Sequence, residues 1–229
     1  MTGRDLRSGR EQKGWTQAHA AFRLAVSQPY LSLLEKGTRR VPEKLARKAA
    51  TLYRLSAAKL PMEMSWQRIE SNDDEALAYD LAALGYPGLS YLNSRRKRNP
   101  AEVVLSALKC ENLDARLIEA LPWVLLKHHD LDWEWLIRAA KLHDLQNKLG
   151  FVTNVARRLA KKLSQHETAS LLHNQETVLE GSRLVREETL CHDSLTQTER
   201  RWLLLNRSDE AKHWNLLTDL SPEYLSHAF

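Results

Sequence analysis

Start and stop signals for short helices alternate within residues 14–37, and this pattern constrains the fold more than any other feature of the chain. Thr16 and Ser27 are residue types that cap helix N-termini, while Gly14 and Gly37 stand where a preceding helix would end. Between the two caps there is room for only roughly two turns of helix. The stretch therefore predicts two short helices joined by a tight turn.

Similar signals predict one helix before this pair and one after it. Thr2 and Asp5 have the spacing of a capping pair, and Pro42 can occupy the first turn of a helix. The four predicted helices run from Thr2 to about Lys13, over 17–24, over 28–36 and from Pro42 to about Leu55. Because apolar residues recur in them at helical spacing, the four can share one core. Its predicted members are Leu6, Trp15, Ala20, Leu24, Val26, Leu31, Leu34, Leu45 and Leu52.

Positive charge is concentrated in the first sixty residues. They contain thirteen Lys and Arg against four Asp and Glu, a net charge of +9, so the rest of the chain carries −4. A basic segment of this kind is typical of a protein that binds a polyanion, which can be DNA, RNA or an anionic membrane surface. Charge alone does not choose among these three.

The rest of the chain also has helical patterns. Residues 1–60 form the first predicted domain. Residues 61–74 predict a linker because they contain Pro61 and the polar stretch 71–74, and residues 75–229 form a second domain for oligomerisation, sensing or partner binding. The helices predicted there are 75–85, 100–109, 115–128, 133–163 with Gly150 as the point where it can break, 167–190, 197–205 and 210–217. No strand is predicted, and the fold class is all-α.

Composition narrows the function classes. No apolar run approaches the roughly eighteen residues that a membrane span needs, and the N-terminus lacks an apolar segment of the signal-peptide type. We therefore expect no membrane partner and a cytoplasmic location. Cys110 and Cys191 form no CxxC pair, so we expect two reduced, structural thiols.

Motifs for catalysis and metal binding are absent from the sequence. It contains no GxSxG, P-loop or HExxH motif. His128, His129 and Asp130 are consecutive, so on a helix their side chains cannot all face one metal ion. We expect no enzyme activity, no cofactor and no bound metal.

Residues 4–55 resemble the Cro/CI-type helix-turn-helix family, also called XRE-like. The positions that carry the resemblance are Arg10, Gly14, Thr16, Gln17, Ala21, Val26, Ser27, Gln28, Leu31, Ser32, Leu34, Glu35 and Gly37. The resemblance implies an N-terminal helix-turn-helix bundle, and the helical patterns beyond it predict a larger C-terminal helical domain. It also implies that the partner is double-stranded DNA, with the helix at 28–36 in the major groove.

Candidate base contacts lie on the exposed end of that helix. Gln28 can form two hydrogen bonds with adenine, and Ser32 can serve several bases. Pro29 and Leu33 offer apolar contact, for example to a thymine methyl group. The candidate contacts to the DNA backbone are Thr16, Gln17, Tyr30, Lys36, Arg39 and Arg40, of which Gln17 is placed there by the resemblance.

The resemblance further implies an ion pair between Arg10 and Glu35 that fixes the first helix to the third. Two positions depart from the family pattern. Ala25 stands where a turn glycine is usual, so we expect a non-glycine residue in a left-handed conformation. Gly9 stands where an apolar residue is usual, and we expect it to thin the core.

Two function classes remain open. In the first, the protein is a sequence-specific transcriptional regulator, a repressor that binds two half-sites as a homodimer. In the second, it is an antitoxin-like protein whose C-terminal helical domain binds and neutralises a partner toxin, with autoregulation through the DNA-binding domain. Residues 113–162 are rich in apolar and aromatic residues, which predicts core. They are also similar to a segment of helix-turn-helix proteins encoded beside nucleotidyltransferase-like toxins. The basic run 94–98 is expected to be a solvated loop.

Overall fold

A computed structural model of the protein describes residues 1–62, 74–92, 97–223 and 225. The predicted linker 61–74 and the basic run 94–98 therefore lie mostly outside the described residues. The chain divides into two compact units, Met1–Met64 and Ser65–Phe229, which we call unit 1 and unit 2. Helices dominate both, which confirms the all-α fold class. In the described ranges, no helix has both the length and the apolar character needed to cross a bilayer.

The described residues of unit 1 form helices around one apolar centre. The helices are α1 Gly3–Gln12, α2 Gln17–Leu24, α3 Gln28–Glu35 and α4 Glu43–Tyr53, followed by a short 3₁₀ helix at Ala57–Lys59. The buried residues of the centre are Leu6, Ala20, Ala21, Leu24, Leu31, Leu34, Leu45, Ala49 and Tyr53. Trp15, Val26 and Leu52, also predicted as core, are only partly buried and pack against this centre.

Local side-chain hydrogen bonds start the first three helices. Thr2 forms a capping box with Asp5 at the start of α1. The hydroxyl groups of Thr16 and Ser27 each accept a hydrogen bond from the backbone N–H three residues further on, at 3.2 and 3.4 Å. The three N-caps are the residues that the sequence predicted, so these helix starts are confirmed. The prediction was possible because each cap and its partner lie close together in the sequence.

Gly9 does not thin the core as expected. A Cβ atom built at this position would lie 2.9 Å from Cδ2 of Tyr53 and 2.9 Å from Cδ2 of Leu55. The two large side chains therefore occupy the space that a side chain at position 9 would need. The glycine allows α1 to approach the end of α4 closely, and the expectation of a thinned core is wrong.

Ala25 ends α2 in the left-handed conformation, with φ 59° and ψ 47°, as expected. Its N–H donates to the carbonyl of Phe22 at 3.1 Å, and the N–H of Val26 donates to the carbonyl of Ala21 at 3.0 Å. These bonds close the helix end and turn the chain sharply into α3. A Cβ atom in this conformation carries a steric penalty of about 1 kcal/mol.

We expect Ala25→Gly to stabilise unit 1 by about 0.5–1 kcal/mol, because glycine adopts the left-handed conformation without that penalty. The matched control is Ala18→Gly at an exposed position of α2, which should destabilise the unit by about 0.5–1 kcal/mol. Amide hydrogen exchange of α2 and α3 in the full chain measures both changes. Equal destabilisation by the two substitutions would contradict strain at Ala25.

Unit 2 is a larger helical assembly with one short strand pair. Its helices are α5 Asp74–Leu84, α6 Pro100–Lys109, α7 Ala115–Lys127, α8 Trp133–Leu142, α9 Gln146–Lys162, α10 His166–Glu180, α11 Gln197–Asn206 and α12 Asp209–His213, with a 3₁₀ helix at Pro87–Leu89. The strands are β1 Glu188–Thr189 and β2 Leu216–Leu217, which run parallel with Glu188 opposite Leu216.

The central helix of unit 2 is α9. It contacts α7, α8, α10 and α12, and every residue from Gln146 to Ala156 is buried. Most apolar and aromatic residues predicted as core within 113–162 are buried, which confirms that prediction for this segment. Leu142 is an exception, because it ends α8 with 65% of its surface exposed.

The long predicted helix 133–163 is two helices, and its break lies at residues 143–145 rather than at Gly150. Asp144 takes a left-handed φ of 57°, and the N–H of Leu145 donates to the carbonyl of Ala140 at 2.8 Å. This bond closes the end of α8 without a glycine.

Gly150 has a packing role instead. A Cβ atom at this position would lie 2.3 Å from Cη2 of the fully buried Trp214. The missing side chain therefore lets the indole ring lie directly against α9.

The predicted helices 167–190 and 210–217 are also too long. The first ends at Glu180 and the second at His213, and the segments that follow them supply β1 and β2. Pairing between such short strands depends on contacts far apart in sequence, so no local periodicity indicated it.

Candidate nucleic-acid interface

Arg10 of α1 and Glu35 of α3 form an ion pair inside unit 1. Nε of Arg10 donates to Oε1 of Glu35 at 2.7 Å, and Nη2 donates to Oε2 at 3.0 Å, so the groups meet through two parallel bonds. The side chains are only 11% and 2% exposed. The hydrogen bond to Glu35 raises the pKa of Arg10, and Nη1 donates to the carbonyl of Trp15 at 2.8 Å. The pair thus holds α1, α3 and the segment before α2 together.

A chain of hydrogen bonds leads from this ion pair to the start of α3. Nε2 of Gln17 donates to Oε2 of Glu35 at 2.9 Å, and Oε1 of Gln17 accepts from Nε2 of Gln28 at 2.9 Å. Gln28 is exposed, and its Oε1 accepts no hydrogen bond from any described residue. Its amide is therefore held from behind while its oxygen and one N–H hydrogen stay available. Recognition of adenine uses one such acceptor and one such donor.

The contact between Gln17 and Gln28 was not predicted from the sequence, which indicated a DNA-backbone contact for Gln17 and a base contact for Gln28. They are eleven positions apart, so no periodicity within one helix relates them. The only signal was that each glutamine follows the capping residue of its helix, Thr16 or Ser27. Side chains at the starts of two consecutive helices meet here because the left-handed turn brings these ends together.

The remaining candidate base contacts share the outer face of α3. Pro29 is exposed, Leu33 is 36% exposed and Ser32 is half-buried. Ser27, Gln28 and Pro29 lie at the N-terminus of α3, where backbone N–H groups lack helical acceptors. The structure thus places all four predicted base-contacting residues on one face of one short helix.

The candidate backbone contacts lie around that face. Thr16, Lys36, Arg39 and Arg40 are exposed, and the guanidinium carbon of Arg39 lies 5.9 Å from the ring centre of the half-buried Tyr30. The side chains of Lys36 and Arg40 form no hydrogen bond or ion pair with any described residue. Their ammonium and guanidinium groups are free to meet phosphates.

Two other cations, Lys48 and Arg98, have structural partners. Nζ of Lys48 donates to the carbonyl of Leu24 at 2.9 Å and closes the end of α2. Nη1 of Arg98, from the basic run 94–98, donates to Oδ2 of Asp80 at 2.7 Å. Charge counts from the sequence do not separate such residues from those that are free to bind a ligand.

The histidines give no metal centre in the part of the chain that the structure describes, where no three His, Cys, Asp or Glu side chains are grouped to hold an ion. Burial lowers the pKa of His128 and of His143, so both rings favour the neutral form. Burial also raises the pKa of the Cys191 thiol to about 12, which makes it unreactive.

Four short helices around one core, with α2 and α3 joined by a left-handed turn and the start of α3 exposed, define a helix-turn-helix domain. Residues 3–61 match a protein-family model described as a helix-turn-helix domain. Neither the curated proteins nor the solved structures with which the chain was compared give a match. The chain thus carries a domain of the kind that DNA-binding regulators use, and this domain covers about a quarter of its length.

Proposed function

We propose that the protein is a sequence-specific transcriptional repressor of the Cro/CI-type, XRE-like class. The observation that carries the proposal is the chain of hydrogen bonds from Arg10 and Glu35 through Gln17 to Gln28. It orients an exposed amide at the start of α3, as direct reading of a base edge requires. The charge of +9 in the first sixty residues supplies the attraction to the phosphates.

In this proposal α3 lies in the major groove. Gln28 pairs with adenine, Ser32 accepts or donates a hydrogen bond at a neighbouring base, and Pro29 and Leu33 contact thymine methyl groups. The phosphate and sugar contacts come from Thr16, Gln17, Tyr30, Lys36, Arg39 and Arg40. These residues fix the register of α3, whereas the four others read the sequence.

A homodimer is part of the same proposal. Two copies of α3 would read half-sites about 34–36 Å apart, one turn of the double helix, and the operator would be approximately palindromic. Phe22 of α2 is 81% exposed, and a large apolar side chain so far from the core is a candidate contact between copies.

The second function class, an antitoxin that neutralises a partner toxin, is favoured by a different observation in unit 2. The helix α11 exposes Trp202, Leu204 and Leu205, with exposed fractions of 54%, 40% and 83%. Trp202 and Leu205 are three positions apart and share one face of the helix, and exposed apolar side chains on one face suit contact with another protein. A copurifying toxin-like enzyme encoded beside the gene would favour this class over the repressor.

Genome-wide mapping of DNA bound by the full chain, combined with transcript levels in cells that lack it, tests the proposal. We expect occupancy at a small number of promoters with a shared palindrome, and increased transcription from those promoters when the protein is absent. An Arg39→Ala, Arg40→Ala variant should lose this occupancy because it lacks two phosphate contacts per subunit. Binding without a shared sequence, or decreased transcription on removal, would contradict a repressor.

A further inference from the structure

Unit 2 contains an open, polar cavity of about 470 Å³ that the proposed function does not use. It lies between the end of α6, the turn that joins α8 to α9, the segment of β1 and the start of α11. Its volume is within the range of small-molecule sites. Four Lys or Arg and five Asp or Glu residues line it, and Glu187, one of the acids, is neutralised by Arg207 at 2.8 Å. Counted with Arg207, the formal charges of the lining sum to zero.

Lys148 is the most unusual of the lining residues. It lies in the first turn of α9 and is only 6% exposed. Its ammonium group forms no hydrogen bond with any described residue, and no described carboxylate oxygen lies within 4.0 Å of it. Although most of the side chain is buried, Nζ itself is not, so the charge reaches the open cavity. The partner that is missing from the protein points to an anionic group of a ligand.

The N-terminus of α9 supplies further donors at the same place. Leu145 is the residue before the helix, lines the cavity and provides no side-chain cap. The first backbone bond of the helix runs from the N–H of Leu149 to the carbonyl of Leu145 at 2.9 Å. The N–H groups of residues 146–148 therefore have no acceptor among the described residues, and the positive end of a 17-residue helix adds to the charge of Lys148.

Two more polar atoms of the cavity are buried without a hydrogen-bond partner among the described residues. They are Oε1 of Glu188 and Nε2 of His143. The side chain of Glu188 is 13% exposed, and its nearest cation is Arg186, whose Nη2 lies 3.9 Å from Oε2. Burial raises the pKa of Glu188, although the charge of Lys148 acts in the opposite direction. A cationic donor bound at this carboxylate would remove the penalty of its burial.

We infer that this cavity binds a small zwitterion that carries both a carboxylate and an ammonium group, of the size of an amino acid or a dipeptide. The carboxylate lies at Lys148 and the first N–H groups of α9, and the ammonium group lies at Glu188. A dianion such as phosphate would leave excess negative charge in a lining whose charges are already balanced. The inference goes beyond the proposed function and does not depend on it.

Thermal unfolding of the full chain, with calorimetric titration of the probes that shift it, tests the inference. The probes are the standard L-amino acids and glycine-containing dipeptides. Acetate and methylammonium are the controls with a single charge, and inorganic phosphate is the dianionic control. At a hundred times its Kd, a bound zwitterion should raise the Tm by about 5 °C. Acetylating its amine or amidating its carboxylate should weaken binding by about tenfold or more.

Lys148→Met separates a ligand site from a structural role, and Lys161→Met, at an exposed position of the same helix, is the matched control. Without ligand, we expect Lys148→Met to leave the Tm unchanged or higher, because the ammonium group forms no hydrogen bond or close ion pair with a described residue that the substitution would break. The response to the zwitterion should disappear in Lys148→Met and persist in Lys161→Met.

Four results would overturn the inference. Two concern the native chain: no zwitterion shifts its Tm, or phosphate shifts the Tm more than every zwitterion does. Two concern Lys148→Met: its Tm responds to the zwitterion as the native Tm does, or its ligand-free Tm falls by several degrees while that of Lys161→Met does not.

Discussion

Glu35→Ala is expected to destabilise unit 1 by about 3–5 kcal/mol, the range found when one partner of a buried ion pair is removed. The substitution removes both bonds from the guanidinium of Arg10, which is 11% exposed, to Glu35 and leaves it the longer contact to Oε1 of Glu11 at 3.4 Å. It also removes the acceptor of Gln17, whose amide in turn holds Gln28. Loss of Glu35 should therefore loosen the start of α3 as well as the contact between α1 and α3.

Native-state amide hydrogen exchange of α1 and α3 in the full chain measures this loss for unit 1 alone. The matched control is Glu43→Ala, because Glu43 forms an exposed ion pair with Arg47 at 2.9 Å and is 58% exposed. We expect that control to cost about 0–1 kcal/mol.

Combining Arg10→Ala with Glu35→Ala should cost less than the sum of the two single changes, since either change alone already breaks both bonds between the two residues. Additive losses, or equal losses for Glu35→Ala and Glu43→Ala, would show that the pair does not hold the domain together.

The architecture of unit 1 could be predicted from the sequence because its determinants are local. Thr2, Thr16 and Ser27 cap helices through groups three residues away, and apolar spacing places the core. The consequence of Gly9 could not be predicted, since the ring that fills its space belongs to Tyr53 on another helix. The same limit applies to the contact between Gln17 and Gln28.

Unit 2 was predicted less well because its determinants are distant in sequence. The break before α9 uses a left-handed Asp144 with no glycine to indicate it, while Gly150, which looks like a helix breaker, accommodates Trp214. The pairing of β1 with β2 joins two-residue segments that carry no periodic pattern. The cavity at Lys148 is formed by several separate segments, so only the folded chain shows that its lysine has no partner.

The second large effect concerns DNA recognition. Gln28→Ala is expected to weaken binding to the operator by about 1–3 kcal/mol and to relax the preference at one base pair per half-site. Binding to unrelated DNA should change little, because no charge is lost. Arg40→Ala should instead weaken binding to all sequences alike and reduce the log–log salt slope by about one per DNA-contacting subunit.

The control for Gln28→Ala is Gln12→Ala, which removes an exposed glutamine at the end of α1. Because Gln12 lies outside α3 and its side chain forms no hydrogen bond with a described residue, this change should alter neither affinity nor base preference. A loss of affinity in both glutamine variants would point to general destabilisation of the domain.

Selection of binding sites from random double-stranded DNA by the full chain and by Gln28→Ala tests most directly whether α3 reads the sequence. We expect the native chain to select a palindrome with an adenine that is required in each half-site, and the variant to select the same palindrome with that position open to other bases. The contradicting result is that both proteins select the same bases at every position and that the variant binds all DNA more weakly by the same factor. That result would exclude base reading by Gln28 and remove the main support for the proposed function.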